Sequence, residues 1–159
     1  MHSFIAKRFI AEFSHIAPAI PARVFPLLCP VRELEWIPGW NYEMVYATSG
    51  LAETNGVFTS QSSDRGKATY FITRHDRINS IIEFVIFFPE LLVEKLNISV
   101  SHHSADSSLV HWQRIYTGLS PAGNQWITEH AEKVFQQRMS ILADAMIQYI
   151  KLGSQHEKY

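Results

Sequence analysis

Glu94 is a carboxylate that the pattern of the chain directs toward the protein interior. It lies in residues 92–101, where apolar and polar side chains alternate as in a half-buried strand. A three-residue loop after Phe88 would pair Phe88 with Leu92 and Ile86 with Glu94, and this register gathers the apolar side chains of both segments on one face. Glu94 then shares that inward face. A buried carboxylate must be paired or hydrogen-bonded, and it can hold a ligand or move a proton.

Residues 108–117 can turn either of two faces inward. One face carries Val110, Trp112, Arg114 and Tyr116, and the other carries Leu109, His111, Gln113 and Ile115. The bulkier side chains lie on the first face, so we expect that face to be buried. Arg114 and Tyr116 would then lie near Glu94. A guanidinium, a phenol and a carboxylate in one apolar setting could hold an enolate or transfer a proton.

Arg138 lies at the centre of an apolar stripe in a long predicted helix, residues 122–152. A guanidinium stays charged and needs partners when it is buried, and Glu94 is the natural candidate. One interpretation is an ion pair at the floor of a cavity, which orients a ligand carboxylate, phenol or carbonyl. The other is structural: a satisfied salt bridge, or an arginine whose stem packs while its head reaches water.

Aromatic and aliphatic residues are expected to line the rest of that cavity. Trp36 and Trp40 bracket a Pro-Gly turn, and either could form an aromatic rim at the cavity mouth or cap the core. Tyr42 and Met44 share one strand face, where they could line a pocket or fill a core. The predicted ligand-binding set is Trp40, Tyr42, Met44, Tyr70, Phe84, Glu94, Trp112, Arg114, Tyr116, Val134, Arg138 and Leu142.

Other chemistries lack the residues that they need. The net charge is −1 and no basic cluster stands out, which argues against nucleic acid as a partner. Cys29 is the single cysteine and is expected to be a small buried hydrophobe. His102 and His103 are adjacent, so in a strand they would point to opposite faces, and we expect them in a solvated hairpin. We therefore predict neither a metal nor a cofactor.

Two periodicities divide the chain into a sheet and a terminal helix. Alternation with period two predicts strands at residues 3–13, 42–47, 57–61, 67–74, 80–88, 92–101 and 108–117. Short connections make neighbouring strands antiparallel. Prolines interrupt the pattern after the first strand, where residues 22–28 and 31–40 predict two short helices. Residues 122–152 contain no proline, and their apolar side chains recur at helical spacing up to Gly153.

This order of elements resembles the START-like, or SRPBCC, superfamily, which includes pollen-allergen-like carriers, lipid-transfer domains and polyketide cyclases. Residues 35–40 (EWIPGW), 57–59 (VFT) and 112–120 (WQRIYTGLS) are similar to segments of its bacterial members. The resemblance implies an α+β helix-grip fold, in which a seven-stranded curved antiparallel sheet wraps around a long C-terminal helix, with two short helices after the first strand. It also implies a hydrophobic cavity between sheet and helix. We expect one such domain over residues 1–153 and a polar tail over residues 154–159.

Three functions fit this interpretation, and the first is favoured. It is a carrier or sensor that binds a hydrophobic small molecule such as a lipid, an aromatic or a polyketide-like compound. The second is an enzyme of the cyclase, aromatase or dehydratase type that uses the cavity Glu, Arg and Tyr for proton transfer. The third is a protein-interaction module whose cavity is filled by side chains.

The expected partner is a hydrophobic small molecule, without nucleic acid and without integral membrane association. The first eight residues lack the apolar stretch of a signal peptide, so a cytoplasmic location is expected. The oligomeric state is left open, with a homodimer as one arrangement.

Overall fold

One antiparallel sheet carries most of the side chains that surround the interior. A computed structural model describes residues 3–156, with the side chains of residues 3–153. The strands are β1 (Arg8–Ala17), β2 (Glu43–Tyr46), β3 (Val57–Ser62), β4 (Gly66–Asp76), β5 (Ile81–Phe88), β6 (Leu92–Ser104) and β7 (Ser107–Gly118). Their order is β1-β7-β6-β5-β4-β3-β2, so only the pairing of β1 with β7 joins strands distant in sequence. The predicted seven-stranded antiparallel sheet is confirmed.

Short helices follow β1, where prolines allow helix starts but prevent long helices. They are α1 (Pro21–Val24), a 3-10 turn (Phe25–Leu28) and α2 (Pro30–Glu33). Each begins with proline in its first positions, where the missing N–H would have no helical partner in any case. The second predicted short helix, residues 31–40, is therefore helical only to Glu33 and continues as turns to Gly39.

The C-terminal helix lies against the concave face of the sheet. It consists of α3 (Pro121–Trp126), a π-helical turn (Ile127–Ala131) and α4 (Glu132–His156). The Ser120 side chain caps its start by accepting a hydrogen bond of 3.1 Å from the Gly123 amide. Its buried stripe includes Phe135, Met139 and Met146. Within residues 3–156, no helix is both long and apolar enough to cross a lipid bilayer.

Strand register follows the predicted division into an apolar and a polar face. Phe88 lies opposite Leu92 and Ile86 lies opposite Glu94, which confirms the predicted pairing of β5 with β6. On β7, the face with Val110, Trp112, Arg114 and Tyr116 is buried, as expected from side-chain bulk. A slip by one residue would expose this entire set, so burial of one face specifies the register.

Other element boundaries also differ from the predictions. β1 spans Arg8–Ala17 rather than residues 3–13, because it pairs with β7 over that length and Pro18 then ends it. Phe4 and Ile5 precede the strand and are exposed. The C-terminal helix continues through Gly153 to His156, so the expected tail begins with helical backbone. Residues 157–159 of that tail lie outside the described residues.

Gly123 holds the start of the C-terminal helix against the hairpin between β5 and β6. A Cβ atom at this position would lie 1.7 Å from the backbone oxygen of Leu91, so no larger residue fits without movement of the backbone. The same oxygen accepts a hydrogen bond of 2.8 Å from the amide of Leu119. This contact sets where the helix begins, and it thereby sets which helical residues lie over the sheet.

Candidate functional site

A cavity of about 710 Å³ lies between the sheet, the turn before β2 and the helix α4. Its walls include aromatic and aliphatic side chains together with charged groups. Seven of the twelve residues predicted to bind a ligand line it: Trp40, Tyr70, Glu94, Arg114, Val134, Arg138 and Leu142. This part of the interior is therefore not filled by side chains, whereas the interaction-module hypothesis requires a filled cavity.

The other five predicted residues lie in the surrounding packing. Phe84, Trp112 and Tyr116 are buried, and Tyr42 and Met44 pack half-buried against the core. The Phe84 ring meets Tyr70 edge to face at 6.3 Å, so it supports a residue of the wall. None of the five is part of the wall itself. A contact of these five with a ligand stays a prediction.

A buried ionic cluster forms one side of the cavity. Glu94 is 1% exposed, and its Oε2 accepts a hydrogen bond of 2.6 Å from Nη1 of Arg114. Its Oε1 accepts a short hydrogen bond from Nη1 of Arg65. The predicted proximity of Glu94 to Arg114 is thus confirmed. The expected pairing of Glu94 with Arg138 is wrong, because Arg65 and Arg114 already occupy both carboxylate oxygens.

Arg65 was not anticipated from the sequence. It lies in the tight turn between β3 and β4, within the sequence Ser62–Ser63–Asp64–Arg65–Gly66, which is typical of a solvated hairpin. Its side chain is only 9% exposed, because it turns inward and stacks over Phe88 at 4.4 Å and Trp126 at 4.2 Å. No periodicity in the sequence signals this orientation, since it depends on where the helix passes the turn.

Arg138 faces the cavity from α4. Part of its side chain is exposed to solvent, and the side chain also belongs to the cavity wall. Burial, and then the positive charge of Arg114, lower the pKa of Arg138 from its ordinary value. Among the described residues it has no ion-pair partner, in contrast to Arg65 and Arg114. The guanidinium still carries its charge, because an arginine does not lose its proton in a protein.

Glu33 is a second carboxyl group that was not among the predicted site residues. It ends α2, and burial raises its pKa to about 8, although the charges of Arg138 and Arg114 act to lower it. No hydrogen bond or ion pair of its carboxyl oxygens is present among residues 3–153. The turns that follow it lead to Ile37 and Trp40 in the cavity wall. The raised pKa of Glu33 favours the protonated, neutral carboxyl at pH 7.

Two phenols contribute neutral hydroxyl groups near the cluster. Burial raises the pKa of Tyr116 to about 12, and it also raises the pKa of Tyr70. Tyr70 stacks on Phe58 at 4.6 Å and meets Trp40 edge to face at 6.0 Å. Both hydroxyls remain protonated near neutral pH, so they can donate a hydrogen bond but cannot act as bases.

The two tryptophans around the Pro-Gly turn have different roles. Trp36 is 6% exposed in the core, where its Nε1 donates to the backbone oxygen of Leu27 at 2.8 Å. Trp40 lines the cavity, and its Nε1 donates to the backbone oxygen of Pro30 at 2.9 Å. Trp36 therefore belongs to the core and Trp40 to the cavity wall, and a position of Trp40 at the cavity mouth stays a prediction.

The remaining reactive groups lie apart from the cavity wall. Cys29 is buried, and its Sγ accepts a hydrogen bond of 3.3 Å from the Ala52 amide. His102 and His103 are exposed at the end of β6, next to the turn at Ala105. In the described part of the chain, no three His, Cys, Asp or Glu side chains come together as a metal site would require.

Comparison with solved structures identifies the class of fold. Norcoclaurine synthase from Thalictrum flavum superposes with a TM-score of 0.70 at 10% identity, over 94% of this chain and 93% of that chain. The Zhui aromatase/cyclase from a Streptomyces species superposes with a TM-score of 0.68 at 9% identity, over 89% of this chain and 93% of that chain. Ara h 8.0201 superposes with a TM-score of 0.65 at 17% identity, over 91% of this chain and 98% of that chain.

The chain therefore has the same fold as these proteins, a helix-grip fold, and the predicted resemblance is confirmed at the level of the fold. No protein-family model matches the sequence. No curated protein matches it either. Because these structural neighbours share so little sequence with the chain and include both a synthase and an aromatase/cyclase, the fold does not identify the activity.

Proposed function

We propose that this protein binds a hydrophobic small molecule in the cavity between sheet and helix and acts as a carrier or sensor. The observation that carries the proposal is the cavity of about 710 Å³ between the sheet and α4. Ligand pockets of proteins typically measure about 300–1,000 Å³ and combine apolar walls with a few polar groups. Trp40, Tyr70 and Phe88 supply aromatic surface here, while Arg114 and Arg138 supply polar contacts.

Similar proteins support the same proposal. A norcoclaurine synthase of this fold is described in complex with dopamine and hydroxybenzaldehyde, which are small aromatic molecules. Burial of apolar surface contributes roughly 25 cal/mol per Å², so an aromatic body in such a cavity binds without elaborate polar chemistry. The buried, unpaired thiol of Cys29 is consistent with a reducing compartment, and we propose a cytoplasmic location.

A fluorescence titration with N-phenyl-1-naphthylamine tests the binding proposal. This neutral probe brightens in apolar surroundings, and saturable binding at one site per chain is the expected result. Ala68→Phe fills the cavity, because Ala68 is a buried residue of its wall, and it is expected to abolish binding. Thr69→Phe is the matched control, because successive side chains on a strand point to opposite faces. Absence of saturable binding in the wild type would refute the proposal.

One observation favours an enzyme as the second candidate. Glu33 is a carboxyl whose pKa is raised to about 8, a value suited to proton transfer near neutral pH. Glu94, in contrast, holds two guanidiniums with both oxygens and is poorly placed to exchange a proton. Native mass spectrometry of protein purified from its host identifies a co-purifying compound. If that compound is converted on incubation with the wild type but not with Glu33→Gln, the protein is an enzyme rather than a carrier.

A further inference from the structure

The charges on the cavity wall do not balance. The charged lining groups are the guanidiniums of Arg65, Arg114 and Arg138 and the carboxylates of Asp64 and Glu94. Glu94 is shared between Arg65 and Arg114, and Asp64 lies 3.4 Å from Nε of Arg65. Both carboxylates are thus engaged by the two arginines of the cluster. One positive charge of the wall is left without an opposite charge, and it belongs to Arg138.

Glu33 does not supply the missing negative charge. It is not part of the cavity wall, and among the described residues it forms no ion pair with Arg138. Burial also raises its pKa to about 8, which favours the neutral carboxyl at pH 7. A second donor is also free, because Nε of Arg114 is buried without a hydrogen-bond partner. The cavity therefore offers N–H donors and one net positive charge, and its wall holds no free anion for them. A charged group that is partly removed from water gains most from a partner of opposite charge.

We propose that the ligand is a hydrophobic monoanion, whose carboxylate or similar head group pairs with Arg138 while its apolar body lies against Trp40, Tyr70 and Phe88. This inference rests on the proposed binding function and names the ligand class for the same cavity. A planar oxyanion suits the site because a guanidinium binds it through two parallel hydrogen bonds. A neutral lipid or a cationic amine would leave Arg138 unpaired in the bound state.

Two fluorescent probes with the same aromatic body test the charge preference. 1-Anilinonaphthalene-8-sulfonate differs from N-phenyl-1-naphthylamine only in its sulfonate group. At neutral pH we expect the wild type to bind the anionic probe at least about tenfold more tightly, the gain typical of a hydrogen bond to a charged group. Arg138→Met is expected to remove this preference, so that the ratio of the two affinities falls to about one.

Lys133→Met is the matched control, because it removes one positive charge from an exposed position of the same helix that is not part of the cavity wall. It should retain the preference for the anion. Thermal melting of each variant establishes that the probe reports on folded protein. Naphthalene-1-acetate and its neutral amide serve as competitors and test a carboxylate head group on the wild-type protein. The carboxylate is expected to displace the bound neutral probe more effectively than the amide does.

The outcomes separate the two proposals. Equal affinity of the wild type for both probes, or a preference that survives in Arg138→Met, would overturn the monoanion while leaving the binding function intact. Equal displacement by the carboxylate and its amide would also overturn it. If neither probe binds the wild type, the binding function itself fails.

Discussion

Replacing Glu94 by glutamine should destabilise the protein far more than the small change in shape suggests. Glutamine is nearly isosteric with glutamate, so packing around the side chain is preserved. The negative charge is lost, however, and only the more exposed Asp64, 3.4 Å from Nε of Arg65, then remains to balance the guanidiniums of Arg65 and Arg114. An unpaired charge in a poorly solvated site carries its desolvation penalty without a compensating attraction.

The expected loss of stability follows from the exposure of the two arginine side chains. Removing one partner of a buried ion pair costs about 3–5 kcal/mol. Arg114 is 8% exposed on the inward face of β7 and cannot reach bulk water without disturbing the sheet. Arg65 extends from a surface turn and can rotate outward, which relieves part of the penalty. We therefore expect the free energy of unfolding to fall by about 3 kcal/mol, the lower end of that range. For a domain of this size, such a loss lowers Tm by roughly 6–12 °C.

Urea denaturation followed by tryptophan fluorescence measures this change. Glu83→Gln is the matched control, since Glu83 lies on the outward face of β5, and its effect should stay within about 0.5 kcal/mol. A double variant with Glu94→Leu and Arg114→Met should recover part of the lost stability, because it removes the uncompensated charge along with the carboxylate. If Glu94→Gln lowers the free energy of unfolding by less than about 1 kcal/mol, the cluster behaves as an exposed ion pair and not as a buried one.

Two further predictions concern pH and helix placement. Because burial raises the pKa of Glu33 from 4.5 to about 8, protonation of this carboxyl stabilises the folded protein relative to the unfolded chain. This contribution to stability is fully present below pH 4.5, and it is lost as the pH rises through about 8. The wild type should therefore lose stability relative to Glu33→Gln between pH 5 and pH 8, by at most about 1.4 kcal/mol per pH unit, and parallel curves of the urea midpoint against pH would contradict this. Gly123→Ala should lower the free energy of unfolding by at least about 2 kcal/mol, because the new methyl group forces the helix backbone away from Leu91. Gly153 has open space around it, so Gly153→Ala should leave that free energy unchanged or raise it slightly. Equal melting temperatures of these two variants would show that Gly123 does not anchor the helix.

Much of the fold could be predicted because side chains at a fixed spacing along a strand or a helix share the same environment. In β5 and β6 the apolar side chains recur at every second residue, and only one register keeps them together, so Glu94 could be placed inside without coordinates. The same reasoning selected the buried face of β7 and with it Arg114. Helical periodicity likewise directed Arg138 toward the sheet.

The partners of those residues could not be predicted in the same way. Arg138 and Glu94 both face inward, yet Glu94 pairs with Arg114 and Arg65. Periodicity states which face a side chain occupies, but it does not state which of several inward cations comes closest. The predicted start of β1 is also wrong. The exposed Phe4 and Ile5 continue the apolar pattern of the strand, but the pairing with β7 begins only at Arg8.

The amino-acid sequence by itself determined the sheet, the terminal helix and the inward direction of Glu94, Arg114 and Arg138, because local periodicity and burial of one face suffice for these. Only the tertiary structure decided the contents of the cavity. Arg65 enters its wall from a turn, and Glu33 comes within electrostatic reach of Arg138 from a helix end, and no repeating pattern constrains a side chain at either place. Their positions depend on how separate segments pass one another, and that arrangement leaves Arg138 as the unpaired charge.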